Sequence, residues 1–162
     1  MTDSFLFLKT AHVVSASVLF GSGLGTAFFC WLGYRMAVSH GDIGALRTTL
    51  RLTVLADLWL TTPAVLFQAA SGVVLMGMLG WPLTSAWSMA VWSMFIAIGA
   101  CWLPVVAIQI RLSSMAAAAP SVDSLPQSFH RKFRVWFALG VPAFALTVIL
   151  FYLMVAKRLA VT

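Results

Sequence analysis

The chain is short of charge. Only 9% of its 162 residues are charged, with four acidic side chains against ten Lys and Arg, whereas a soluble domain carries about 25%. That shortage excludes an ordinary water-soluble fold, and it excludes a continuous hydrophilic basic face on which a nucleic acid lies. Cysteine is scarce as well. Cys30 and Cys101 both fall in apolar runs, where a small soft side chain packs well, so neither a disulfide nor a thiolate centre is implied. The chain lacks a glycine-rich phosphate loop, a pair of histidines at metal-ligand spacing and a nucleophile elbow. It also lacks the matching halves of an inverted-repeat transporter.

Apolar residues are what it has: 62% of the total, with a mean hydropathy of +1.00. At about 20 apolar residues per crossing, this predicts an all-α integral membrane four-helix bundle in one domain. The spans run over about 4–34, 46–79, 85–111 and 129–156. Span one is too long for a signal peptide and is preceded by Asp3 instead of basic residues. Gly41 and Gly44 break the first connection, and Gly80-Trp81-Pro82 form the second. The third contains Ala116 to Ala119, Pro120 and Pro126.

Basic residues set the expected orientation. Arg35, Arg47 and Arg51 flank the first connection, Arg111, Arg131, Lys132 and Arg134 flank the third, and the second has none. By the positive-inside rule the N-terminus and C-terminus are outside, with Lys9, Lys157 and Arg158 as the outer minority. Trp31, Tyr34 and Trp136 then fall near the inner interface, and Trp81, Trp87 and Tyr152 near the outer one.

Span one carries an imidazole, and an ionisable residue inside a membrane is a functional hypothesis by default. At about 100° per residue, Ala16, Gly23 and Ala27 share the face of His12, whereas Ser17, Gly21 and Gly25 form a small-residue ladder opposite. A smooth face beside a neutral histidine suits a planar cofactor whose iron the histidine ligates. A hydrogen bond from His12 to a neighbouring helix explains the same residues without a cofactor. Lys9, one turn earlier, snorkels to the surface or meets a propionate.

Span two carries a polar stripe, Asp57, Thr61, Ala64, Gln68 and Ser71, at helical spacing. Asp57 falls near mid-membrane, so it is protonated, paired or hydrated. Arg51, Arg111, His130 and Arg134 are its candidate ionic partners, and Gln109 of span three joins the same buried network with Thr61 and Gln68. Pro63, Pro104 and Pro142 predict kinks, and Thr61 or Thr62 can satisfy the groups that Pro63 frees. A second axial ligand for iron at His12 comes from the outer halves of the other spans, where Met76, Met78, Met89, Met94 and Met154 stand.

Several stretches together carry a resemblance: Leu8-Lys9-Thr10-Ala11-His12, Gly21-Ser22-Gly23-Leu24-Gly25, Pro63 through Gln68 to Gly72, Trp102-Leu103-Pro104-Val105-Val106 with Gln109, and Trp136 through Pro142. The chain resembles a family of predicted bacterial integral membrane proteins of unassigned function. More distantly it is similar to HemJ-type protoporphyrinogen oxidases and CopD-like membrane proteins, which also open with Leu-Lys-x-x-His. In HemJ-type proteins the first-span histidine is associated with haem b, a role that the resemblance places on His12. Their third-span histidine is missing here, with Trp102 and Pro104 in that region. Their Asn-Glu-x-Pro motif is replaced by Leu139-Gly140-Val141-Pro142. The resemblance therefore carries haem binding rather than porphyrinogen oxidation.

The resulting expectation is a protein of the bacterial inner membrane, homo-oligomeric or joined to other membrane subunits. It binds haem b at His12, with Lys9, Ala16 and Gly23 around the cofactor, and takes part in electron transfer with a quinone or a cytochrome. A cofactor-free accessory subunit of a respiratory or photosynthetic complex is the leading alternative. A small transporter using Asp57 for proton coupling is the third. No catalytic residue is assigned.

Overall fold

In the computed structural model, residues 2–156 are described, so Lys157 and Arg158 lie outside the described part. The chain folds into α1 (Thr2–His40), α2 (Ile43–Ala56), a π-turn (Asp57–Thr61), α3 (Thr62–Met78), α4 (Ala86–Ala118) and α5 (Gln127–Ala156). Because α2, the π-turn and α3 are continuous, these make four helical spans, each long and apolar enough to cross a membrane. This is the expected all-α four-helix bundle. Phe7, Phe29, Leu66, Leu103 and Val155 stay largely exposed, as side chains that face lipid do.

Glycines end the helices where the chain must reverse. Gly41 takes φ +68°, and Asp42 N–H reaches back to the Ala37 carbonyl at 2.9 Å, the closing bond of a left-handed C-cap. Asp42 then caps α2 by accepting from Ala45 N–H. Gly44, expected to break the chain, instead sits in the first turn of α2, since Gly41 and Asp42 alone complete the reversal. Gly80 repeats the device at φ +67°, and Ser85 caps α4. The helices also overrun the apolar runs: α1 continues past Tyr34 to His40, and α4 past Arg111 to Ala118.

That overrun builds the main core. Ala37, Leu46, Leu50, Leu112, Ala116 and Phe129 pack there with Val122 and Leu125 of the third connection, all buried. Arg47 ties α2 to the end of α4, donating to the carbonyls of Ala116 at 3.0 Å and Ala119 at 2.6 Å, where a cation also complements the helix dipole. At the other end only a small cluster of Met76, Trp87 and Val91 is buried. There α1 pairs with α3, and α4 pairs with α5, while α3 makes little contact with α4. The bundle is closed at its basic end and hollow toward the end where α1 begins.

Close helix approach does not occur at the expected ladder. A side chain built at Gly21 or Gly25 would meet nothing within 4 Å, whereas one at Gly33 would lie 2.7 Å from Thr49 Oγ1 and 2.8 Å from its Cγ2. Gly33 is the glycine that lets α1 approach α2. A β-branched threonine in a helix has few rotamers with which to yield. Gly33→Ala is therefore expected to destabilise the fold by about 1–3 kcal/mol through overpacking, and Thr49→Ala in the same chain is expected to recover most of that loss. Thermal unfolding in detergent measures both, and an unchanged midpoint for Gly33→Ala alone would contradict the packing described.

Candidate functional site

The hollow half of the bundle forms a half-open cavity of about 980 Å³, lined by all four spans. That is the upper end of the range of about 300–1,000 Å³ typical of ligand sites. Its walls are mainly apolar and aromatic, including Phe20, Trp92, Phe95, Trp102 and Phe144. Two places on the wall are polar: one around His12 and one at the floor, around Asp57.

At the His12 end, α1 and α3 are joined by two hydrogen bonds. Gln68 Nε2 donates to the His12 backbone carbonyl at 2.7 Å, and His12 Nδ1 lies 2.7 Å from Ser71 Oγ. When the Ser71 hydroxyl donates to the Phe67 carbonyl one turn back, its oxygen accepts from the imidazole, which is the tautomer with the proton on Nδ1. In that tautomer Nε2 keeps an open lone pair on a residue that lines the cavity. Gly72 lies beside the ring, where a Cβ would sit 3.7 Å from His12 Cε1 in ordinary van der Waals contact. Ala16, Ser17 and Gly23 continue the cavity wall below the ring. Lys9 is exposed at the cavity rim, its Nζ 5.9 Å from the centre of the Phe5 ring.

The floor is a three-residue chain across three helices. Trp136 Nε1 donates to Gln109 Oε1 at 3.1 Å, and Gln109 Nε2 donates to Asp57 Oδ2. The indole can only donate, so it fixes which way the glutamine amide faces. Asp57, Gln109 and Trp136 are all buried, and all three line the cavity. The π-turn that holds Asp57 precedes Pro63, and both the N–H and the hydroxyl of Thr62 bond to the Asp57 carbonyl. Thr62 thus closes the π-turn on the Asp57 carbonyl rather than satisfying the carbonyl that Pro63 leaves without its N–H partner.

The ionic partners expected for Asp57 are not the ones it has. Among the described residues it forms no ion pair. Arg51, Arg111 and Arg134 are exposed, where their guanidinium groups keep their hydration, and His130 Nδ1 is bonded to Tyr34 OH at 2.7 Å. The six residues expected in one buried network are divided. Asp57 and Gln109 share the floor, Thr61 pairs with Ser22 at 3.2 Å, Gln68 serves His12, His130 serves Tyr34, and Arg134 is on the surface. Of the five methionines considered for His12, Met76 and Met154 line the cavity, whereas Met78 and Met89 are exposed and Met94 is half-buried outside the lining.

Ser71 and Trp136 join the site from outside the residues expected there. Ser71 is legible in the sequence as the last member of the polar stripe. Trp136 has the sequence position of an interface anchor, and only the position of α5 reveals its indole as a donor to Gln109. Among the described residues, no group of three or more His, Cys, Asp or Glu side chains converges on a metal position. The Trp102 indole N–H is the one buried side-chain donor among them without a partner.

Removing Gln109 tests the floor. In Gln109→Leu, both the Asp57 carboxylate and the Trp136 N–H lose their partner, and each buried orphan costs about 1–3 kcal/mol. The expected result is a larger fall in unfolding midpoint than for Asp57→Asn, which keeps an oxygen for Gln109. Equal midpoints for the two variants would contradict the arrangement.

Neither a curated protein nor a solved structure matches the chain. The profile of one family, described as "Predicted integral membrane protein (DUF2269)", matches residues 6–158. With nearly the whole chain matched and four helices suited to crossing a bilayer, this multi-pass protein belongs to that family of integral membrane proteins.

Proposed function

We propose that the chain binds haem b in the cavity, with His12 as axial ligand, and takes part in electron transfer within a bacterial inner membrane. The observation that carries this reading is the bond between His12 Nδ1 and Ser71 Oγ, which leaves Nε2 as the free nitrogen beside the cavity. Metal-ligating histidines almost always donate the other ring N–H in this way, which fixes the tautomer and the ring orientation. The cavity fits the group in three further respects. Its volume of about 980 Å³ is ample, its walls are aromatic, and Ala16 and Gly23 leave a smooth surface below the ring. Lys9 at the rim supplies a cation for a propionate, and Met76 or Met154 supplies a second soft ligand from the same cavity. Bound haem supplies one-electron exchange at iron. The protein supplies its orientation, the dry surroundings and access from the membrane, where a quinone or a cytochrome is the expected redox partner.

The same reading places both termini outside. The open space beside Gly21 and Gly25 supports a further helix packing there, from a second copy or from another membrane subunit.

An absorption spectrum tests the proposal. Protein produced with ample haem supply is expected to show a Soret band and, after dithionite, sharpened bands at longer wavelength. His12→Ala is expected to lose them, and Ser71→Ala to bind haem about 10–100-fold more weakly, as loss of such a supporting partner usually does. No Soret band in the wild type would overturn haem binding, and an unchanged band in His12→Ala would overturn the ligand.

A further inference from the structure

We propose that the cavity floor is a separate site for the hydroxyl headgroup of an apolar-tailed, membrane-soluble molecule, the chemistry of a quinol, with Asp57 as the hydrogen-bond acceptor. Asp57 is only 7% exposed. Its Oδ2 accepts from Gln109, and its Oδ1 has no protein partner among the described residues although the residue lines the cavity. A carboxylate oxygen in apolar surroundings without a partner is costly, and among the described residues no arginine pairs with it.

The surrounding bonds define what the floor can take. Trp136 holds the Gln109 oxygen, so the glutamine cannot turn to offer its amide hydrogens to a ligand. The floor therefore offers an acceptor, and its ligand must donate. The walls above are largely aromatic and aliphatic, which suits a hydrocarbon tail. Among the described residues no group of three or more His, Cys, Asp or Glu side chains converges there to hold a metal cation. A neutral hydroxyl donor with an apolar tail meets both conditions.

This site is distinct from the His12 end. Gln68, which bonds the His12 carbonyl, is eleven residues from Asp57, about 16 Å along a helix. The floor proposal thus gives a seat to the quinone-class partner named above, and it rests on that reading only for the fate of the electrons. Binding at the floor needs no haem.

Isothermal titration of the purified protein in detergent, without added haem, tests this with a decyl-tailed benzoquinol, the matching benzoquinone and 1-decanol. The quinol donates and the quinone only accepts, so wild type is expected to bind the quinol at least tenfold more tightly. Asp57→Asn is expected to reverse the order. Its amide oxygen keeps the Gln109 bond, and its amide N–H faces the cavity, weakening the quinol at least tenfold and favouring the quinone. Equal affinity of wild type for quinol and quinone would overturn the proposal without any variant, as would an unchanged quinol affinity in folded Asp57→Asn. Decanol that displaces the quinol supports the hydroxyl seat with lipid alcohols as the source, and decanol that fails to displace it supports a quinol. His12→Ala is expected to bind quinol normally while losing the haem band, so the two proposals fail separately.

Discussion

The side-chain amide of Gln109 joins the two halves of this bundle. It takes a hydrogen from Trp136 of α5 and gives one to Asp57 at the start of the π-turn, so three spans meet at one buried residue of α4. In a membrane, where lipid tails are as apolar as leucine, helices gain little from burying apolar surface against one another, and packing and polar bonds decide their association. Below this point the spans are held by the core around Leu46, Leu112 and Phe129 and by Arg47. Above it the contacts across the bundle thin to those of Phe20 with Phe144 and Phe151 and of Met76 with Trp87 and Val91, and the cavity lies between them.

This division assigns different work to the two ends. The basic end is packed like the interior of a soluble protein, and it draws on side chains beyond the apolar runs, such as Val122 and Leu125. The hollow end is braced at its rim, where Trp87 Nε1 donates to the Leu153 carbonyl at 3.2 Å and stacks edge-on against Trp81 with ring centres 5.0 Å apart. Four spans are held apart around a half-open space of about 980 Å³ while polar groups are retained on its wall, and this combination supports the ligand-site reading proposed above.

Much of this was legible in the sequence because spacing and hydropathy are local properties. Four apolar runs gave four spans, and the stripe of Asp57, Thr61, Ala64, Gln68 and Ser71 is buried at every position. Partners were less legible. Asp57 was matched with arginines because opposite charges attract, but an arginine leaving water for the bundle interior loses more hydration than the pair returns, and a neutral amide satisfies the oxygen instead. The Ser17, Gly21 and Gly25 ladder was read as a contact because small residues permit one. Permission does not create a partner: the contact inside this chain formed at Gly33, where Thr49 stands opposite.

The π-turn explains how one buried stripe spans a helix that contains Pro63. Thr53, Asp57 and Thr61 follow one another at intervals of four, and all three are buried. In a regular α-helix, two such steps at about 100° per residue overshoot two full turns by about 80°, which would carry Thr61 off the face of Thr53. A turn closed from residue i to i+5, as Thr62 N–H closes on the Asp57 carbonyl, holds an extra residue and takes up part of that excess. Beyond it the stripe continues through Ala64, Gln68 and Ser71 at intervals of three and four, in step with an ordinary helix. The same turn therefore accommodates the proline, keeps Asp57 facing Gln109, and leaves Ser71 in register to hold the His12 ring. Regularising it would rotate one of the two polar ends out of the cavity, which ties both proposed sites to a single local deviation in the backbone.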